Sequence, residues 1–355
     1  MFWRRRQSAQ LDFGLFAVYV TRSEWRDAVQ VACRLGAAAE GLDDPVALAL
    51  RGFVEGTTRL YTGKPAEALR CFREGLCHCR DAGRDAHVRL LGRDTAALML
   101  SRSPCAQMLA HSSHALLQLG SFGEARLSIR AALARARAEG HPGTLAFTLR
   151  AACRFAELGR VDPEPTDGAG ELCAVAAEHH LPHWAAVGRV LRGRDMLRRG
   201  APVEAAAEIE AGLAEQQASG SRLNLGDYLA LLAEARAAMG ELEGALAALK
   251  EALEHTARSG ERWYDAELHR LRATILCRLR REGDAATSFG RTVEIARAQG
   301  ALLLELRGTR DLARLWRDKG KPGEARDLLG PVYSSFTEGF DTPDLIEAKE
   351  LLDAL

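Results

Sequence analysis

Residues 223–260 read LNLGDYLALLAEARAAMGELEGALAALKEALEHTARSG. In the second half of this stretch Leu242, Ala245, Leu246, Leu249 and Leu253 fall at i, i+3, i+4, i+7 and i+11, one apolar stripe of an α-helix with charged residues opposite. Gly240 ends the first half and Gly260 the second, at the places where a helix stops by entering the left-handed conformation that glycine adopts at little cost. Small side chains at Ala233 and Ala245 let the two helices approach closely. The stretch therefore predicts an antiparallel helix pair, each helix about 25 Å long at about 1.5 Å per residue. Neither helix can bury its stripe alone, so further pairs must stack on this one.

The rest of the chain repeats that unit. An acidic–alanine dyad recurs at Asp27-Ala28, Glu67-Ala68, Glu124-Ala125, Glu204-Ala205, Asp284-Ala285 and Glu324-Ala325, with Gly244-Ala245 as a variant, and from Ala125 onward every gap is 40 or 80 residues. Twelve positions before the marker the residues are small: Ser113, Cys153, Gly193, Ala233, Ala273 and Ala313. Fifteen positions after it come Gly83, Gly140, Gly220, Gly260 and Gly300. Self-similarity at a fixed period is the signature of a helical repeat array. Residues 63–72, GKPAEALRCF, and 320–329, GKPGEARDLL, are two copies of one turn of that array. Their Gly-Lys pair raises a phosphate-binding loop as another reading. That loop needs a glycine five residues earlier and Ser or Thr after the lysine, where this chain has Thr58 and Pro65, then Leu315 and Pro322.

Two places break the period. RDAHVRLLGRDTAALML is an insertion over residues 84–100, and GRVDPEPTDGAG makes an irregular junction over residues 159–170. Pro165 there forbids a normal helix start, so the second helix of that unit is expected to begin near Gly168, with Pro163 and Pro165 as a candidate hinge. DTPDLIEAKELLDAL, residues 341–355, reads as a C-terminal cap with Thr342 before Pro343 and an apolar face of Leu345, Ala348, Leu352 and Leu355. The expected fold is all-α: one right-handed, tetratricopeptide-like solenoid over residues 1–355, with about eight helix pairs of ~40 residues and a capping helix.

Composition narrows the function classes. Of 355 residues 47% are hydrophobic, ample for burial, and Lys+Arg balances Asp+Glu at 48 each, so no net charge points to nucleic acid or an anionic membrane. FGLFAVYV after MFWRRRQ has a signal-like order but no small-residue cleavage site, and no stretch approaches the ~18 apolar residues of a membrane helix. The eight cysteines lack paired framework spacing, which implies reduced thiols and a cytoplasmic protein.

Gly56, Ala68 and Phe72, and again Ala273, Ala285 and Phe289, follow a pattern that resembles the tetratricopeptide repeat, in units longer than its usual ~34 residues. GERWYDAELHRLRA from Gly260, ARLWRDKGKPGEARDLL from Ala313 and FTEGFDTPDLIEAKELLDAL from Phe336 look like the C-terminal repeat region of bacterial multidomain signalling ATPases. In that family an AAA-type or related nucleotide-switch module precedes the repeats, often with a class III adenylyl cyclase domain in front. The resemblance spans roughly residues 10–355 and implies a sensing or partner-binding arm. This chain departs from the fuller family members in having no phosphate loop, no cyclase carboxylate motif and no helix-turn-helix, so their activities do not transfer.

Candidate chemistry is sparse. CFREGLCHC gathers Cys71, Cys77, His78 and Cys79, but a helix sets Cys77 and Cys79 about 200° apart and no second ligand pair follows, so buried thiols are expected rather than a metal. HSSH (His111, His114) stands alone, and His179, His180 and His183 of EHHLPHW surround a turn, where imidazoles meet free carbonyls at a helix end. No nucleophile lies beside a base, so no catalytic residue, metal or cofactor is expected. One pattern recurs with the period. Arg150 and Arg154, Arg194 and Arg198, Arg270 and Arg278, and Arg310 and Arg314 share a face of successive first helices, interrupted by Glu234 and Asp318. Stacking would align them into a ridge, and the tetratricopeptide resemblance puts them on the lining of the concave groove. The function expected is a non-catalytic interaction scaffold or sensor arm that holds a protein or peptide partner, in particular an acidic segment matched to arginine forks. The alternative is a part of an ATP-dependent signalling enzyme whose catalytic domains are absent from this chain.

Overall fold

Many of the helices begin on proline and stop at a glycine of positive φ. The computed structural model describes residues 2–40, 44–79, 103–160 and 168–355. In them the chain forms α1 (Phe2–Thr21), α2 (Trp25–Glu40), α3 (Pro45–Tyr61), α4 (Pro65–Cys79), α5 (Pro104–Gln118), α6 (Phe122–Glu139), α7 (Pro142–Gly159), α8 (Gly168–Glu178) and α9 (Pro182–Arg198). It continues with α10 (Pro202–Ala218), α11 (Leu225–Ala238), α12 (Leu242–Ser259), α13 (Asp265–Arg278), α14 (Glu282–Gln299), α15 (Leu302–Asp318), α16 (Pro322–Ser334) and α17 (Pro343–Ala354). Among the described residues there is no strand. Consecutive odd and even helices pair, and α17 closes the series. Eight of the helices start on proline, whose missing N–H is one the first turn leaves unpaired anyway. Gly240 and Gly260 sit at φ +85° and +83°, the left-handed stops expected of them.

The marker alanines and the small residues are the contact points within each pair. Ala28, Ala68, Ala125, Ala205, Ala245, Ala285 and Ala325 are all fully buried. A Cβ on Gly193 would stand 2.9 Å from the Ala205 carbonyl oxygen and 2.6 Å from Ile209, so the small position and the marker face each other across the α9–α10 contact. Burial then separates the two kinds of helix. First helices lie inside: α7 buries every residue except Pro142, Leu145 and Glu157. Second helices keep one face to solvent; α6 buries only Phe122, Ala125, Ile129, Ala132, Leu133 and Ala136. One large hydrophobic core extends from Phe13 to Leu351, with a small separate cluster of Ala273, Phe289 and Leu312.

The path of the stack closes on itself. The Arg222 N–H donates to the Thr21 carbonyl at 2.8 Å, and the Arg262 N–H to the Tyr61 carbonyl at 2.7 Å. Ser23 Oγ, which accepts from Trp25 Nε1 at 2.9 Å, donates to the Glu261 carboxylate at 2.7 Å, 238 positions away. Arg160 reaches Glu347 on α17 at 2.6 Å, across 187 positions. Contacts between turns about five units apart mean that the superhelix meets its own earlier coil. The open concave groove expected from the sequence is consequently enclosed by its own first helices.

Cys79 is joined to Cys105 by a disulfide with Cα atoms 6.2 Å apart, which corrects the expectation that every thiol is reduced; the spacing of 26 residues belongs to no familiar framework because it brackets the insertion. The insertion over 84–100 and the prolines of the junction, Pro163 and Pro165, lie outside the described residues. Among the described residues no helix is long and apolar enough to cross a membrane.

Candidate functional site

The arginine row does not stand as an open ridge. Arg150, Arg154, Arg194 and Arg310 are buried, Arg270 and Arg314 are partly covered, and only Arg198 and Arg278 are exposed. Buried guanidiniums require partners, since an unpaired charge in a protein interior is very costly. Arg194 is satisfied by its own and the preceding unit, with Nη1 donating to the Cys153 carbonyl at 2.6 Å and Nε and Nη2 to Asp195 at 2.9 and 2.6 Å. Arg150 lies over the Phe147 ring at 5.3 Å. The remaining buried members converge elsewhere.

Arg154 and Glu157 from α7, Arg160 just beyond it, Glu234 from α11, Tyr264, Glu267 and Arg270 at α13, Arg307 and Arg310 from α15, and Asp344 and Glu347 from α17 line one polar chamber of about 330 Å3. The wrapped path creates it, because α17 is brought against the end of α7. Asp344 is the hub: its two oxygens accept from Arg307 Nε and Nη2 at 3.1 and 2.7 Å, and Oδ1 also accepts from Arg310 Nη1 at 3.0 Å. A second Arg307 bond from Nη2 goes to the Leu158 carbonyl at 2.6 Å. Arg270 forks onto Glu267 at 2.9 and 2.6 Å and reaches Asp311 at 2.9 Å, while Arg310 Nε holds the other Asp311 oxygen at 3.0 Å. Glu347 takes Arg160 and Arg310, and Arg314 at the rim. Arg154 meets Glu157 at 3.2 Å and the Asp227 carboxylate, and its guanidinium stacks 4.9 Å from Trp263 and 5.1 Å from Tyr264.

Electrostatics follow from this wiring. Burial pushes the Asp344 carboxyl up, but Arg307, Arg310 and Arg160 outweigh it and hold the group far below the usual carboxylate range. Glu267 is likewise kept low by Arg270 and Arg307 against burial. Glu234 behaves in the opposite sense. Burial first, then the charges of Glu157 and Glu267, raise its carboxyl to about 7 in spite of Arg270 and Arg307. Its side chain makes no hydrogen bond or ion pair among the described residues. A carboxyl poised near neutrality in a polar cavity marks a candidate binding site. The lining offers charge and hydrogen-bond complementarity, without a nucleophile among its residues.

The histidines take other places. His111 is enclosed by Phe72, Tyr61 and Phe147, and His114 Nε2 pairs with the Ala151 carbonyl at 3.0 Å. Burial holds His111 well below its ordinary value and lowers His114 to about 3 and His183 to about 4. Cys71 is a buried thiol pushed up by burial, Cys77 is exposed and Cys79 is in the disulfide, so the cysteine cluster does not converge. Among the described residues no three His, Cys, Asp or Glu side chains are grouped to hold a metal. Sequence reasoning met Glu234 only as an interruption, and it missed Arg307, Arg160, Asp344 and Glu347. The available signal was the acid beside each arginine: Glu157 three after Arg154, Glu267 three before Arg270, Asp311 next to Arg310.

No family model and no curated protein matches the chain. Solved structures resemble it in fold. The apo form of RapI is 10% identical, covering 86% of this chain and 99% of its own, with TM-score 0.48. Aspartyl phosphate phosphatase F from Bacillus subtilis is 10% identical over 92% of this chain and 93% of its own, TM-score 0.49. A signal transduction ATPase with numerous domains and a tetratricopeptide repeat sensor, from Pyrococcus horikoshii, is 13% identical over 92% of this chain, which spans 55% of that protein, TM-score 0.42. The chain's own elements make it an all-α helical-repeat solenoid.

Proposed function

We propose that the protein is a non-catalytic binding scaffold, the sensor or partner-binding arm of a signalling or regulatory system, and that its receiving site is the chamber between α7, α11, α13, α15 and α17. The observation that carries this reading is the convergence of five first-in-pair or capping helices on one polar cavity, lined by three members of the arginine row. Arg154, Arg270 and Arg310 of the row line it, so part of the expected groove is retained. The acidic character expected of the partner loses its support, because those guanidiniums are already neutralised by Glu157, Glu267, Asp311 and Asp344. A photo-crosslinking residue at Arg314, on the rim, should capture a bound partner, whereas the same residue at Leu127, exposed on the outer face of α6, should not. Equal capture at both positions overturns the reading.

A second reading has its own observation. Leu11, Leu15 and Val18 of α1, at i, i+4 and i+7, leave an apolar stripe exposed at the N-terminal end of the stack, which suits packing against a further module of an ATP-dependent signalling enzyme. On the scaffold reading the purified chain binds no ATP; measurable ATP affinity favours the enzyme component.

A further inference from the structure

We propose that the chamber is a receptor site for a small monocation rich in N–H donors, an alkylammonium or alkylguanidinium, seated on Glu234 beside Glu157. The inference rests on the chamber being the receiving site and adds the class of ligand. Its ground is an imbalance of partners. Arg154, Arg160, Arg270, Arg307, Arg310 and Arg314 each hold a carboxylate, and between them they engage Glu157, Asp227, Glu267, Asp311, Asp344 and Glu347. Glu234 is left over. Glu157 Oε2, shielded from solvent, also has no donor, its other oxygen being taken by Arg154 and by the Tyr264 hydroxyl at 3.4 Å. Both residues line the cavity, and the Glu157 charge raises the cost of a charge on Glu234.

The protein cannot repair this from within. Arg270 and Arg307, the cations facing Glu234, are both tied by two-pronged contacts to Glu267 and Asp344, and turning either away would strand a buried carboxylate. An anion would find guanidiniums already neutralised and, in Glu234, a carboxylate without a donor. A single ammonium or guanidinium supplies the missing charge and several N–H groups at once. The cavity of about 330 Å3 lies at the small end of ligand sites, which run from about 300 to 1,000 Å3, so a stem of a few carbons along the Tyr264 ring fits and a folded domain does not. Glu234, facing Glu157 on α7 and Glu267, Arg270 and Arg307 on α13 and α15, is raised to about 7, so binding a cation at neutral pH should expel part of a proton.

The test is calorimetric titration of the full chain with n-butylamine and n-butylguanidine, against n-butanol and butyrate, in two buffers of different ionisation enthalpy. The cations should bind at pH 7.5 with proton release, and the affinity should fall by about 25-fold at pH 5.5, as Glu234 becomes protonated. Glu234→Gln, which keeps size and shape, should abolish binding and proton release while circular dichroism and melting stay native-like; Glu157→Gln should weaken binding without removing it. Butyrate binding as well as the cations, unchanged binding by Glu234→Gln, or no binding by either cation overturns the proposal. Capture at Arg314 reports separately on the receiving site, so loss of the ligand class and loss of the site are distinguishable.

Discussion

The two halves of the interior occupy equivalent first helices and are filled with opposite chemistry. Around α3, α5 and α7 the space holds Tyr61, Phe72, Phe147 and the neutral imidazoles of His111 and His114, in contact ring to ring. Around α11, α13, α15 and α17 it holds arginines and carboxylates around a cavity. One repeat geometry therefore tolerates either filling, but with different results. Rings leave only a small apolar gap of about 60 Å3 beside Tyr61, His111 and Phe147, whereas ion pairs held at fixed hydrogen-bond distances leave a polar space of about 330 Å3. The first interior is a core and the second is a site.

The largest expected effect breaks the charged interior. Asp344→Ala strands Arg307 and Arg310 in a buried environment and should cost about 3–5 kcal/mol in urea unfolding. Should it cost less than about 1 kcal/mol, the pairs are solvated and the contrast fails. On the aromatic side, Cys105→Ser opens the bond to Cys79 and should cost about 2–4 kcal/mol, with hydrogen exchange rising first in α4 and α5.

Acid should separate the halves by pH window. Unfolded histidine takes up a proton below about 6.5 and folded His114 not until about 3, so the fold loses stability as pH drops through that interval. The Asp344 pairs, whose carboxyl is held low, keep their contribution above about pH 4 and lose it only in stronger acid. Hydrogen exchange at pH 5 should thus accelerate in α5 before α15; the reverse order sinks the assignment. A smaller effect has the opposite sign. Folded Glu234, raised to about 7, retains a proton that the unfolded chain releases above about 4.3, so its contribution is present at low pH and fades as pH rises through 7. Glu234→Gln should flatten the melting temperature between about pH 4.5 and 7. Smallest of all, Arg278→Gln, exposed at the end of α13, should change stability by no more than about 0.5 kcal/mol.

The repeat was legible because the contact within a pair is local. Ala205 and Gly193 meet twelve residues apart, and the same steric demand writes the same small residues once per unit. The arginine positions were legible for the same reason, but their surroundings were not. Asp344 meets Arg160 across 184 positions, and Arg307 meets the Leu158 carbonyl across 149. Such meetings depend on the small rotation between successive units, which accumulates around the superhelix and leaves no periodic trace in any one of them. The same blindness applies to Cys79 and Cys105, whose pairing has no counterpart in the 40-residue period.

The contacts of Thr21 with Ser221 and Arg222, of Tyr61 with Arg262, and of Arg160 with α17 make the molecule a spring whose coils touch at rest. A spring of that kind has no soft initial stretch. Pulled by its ends in an optical trap, it should hold its length until the coil-to-coil bonds part together, then lengthen in one step with every helix pair still folded, and only afterwards unravel pair by pair. The same bonds oppose the end-to-end breathing by which open arrays stretch around large cargo.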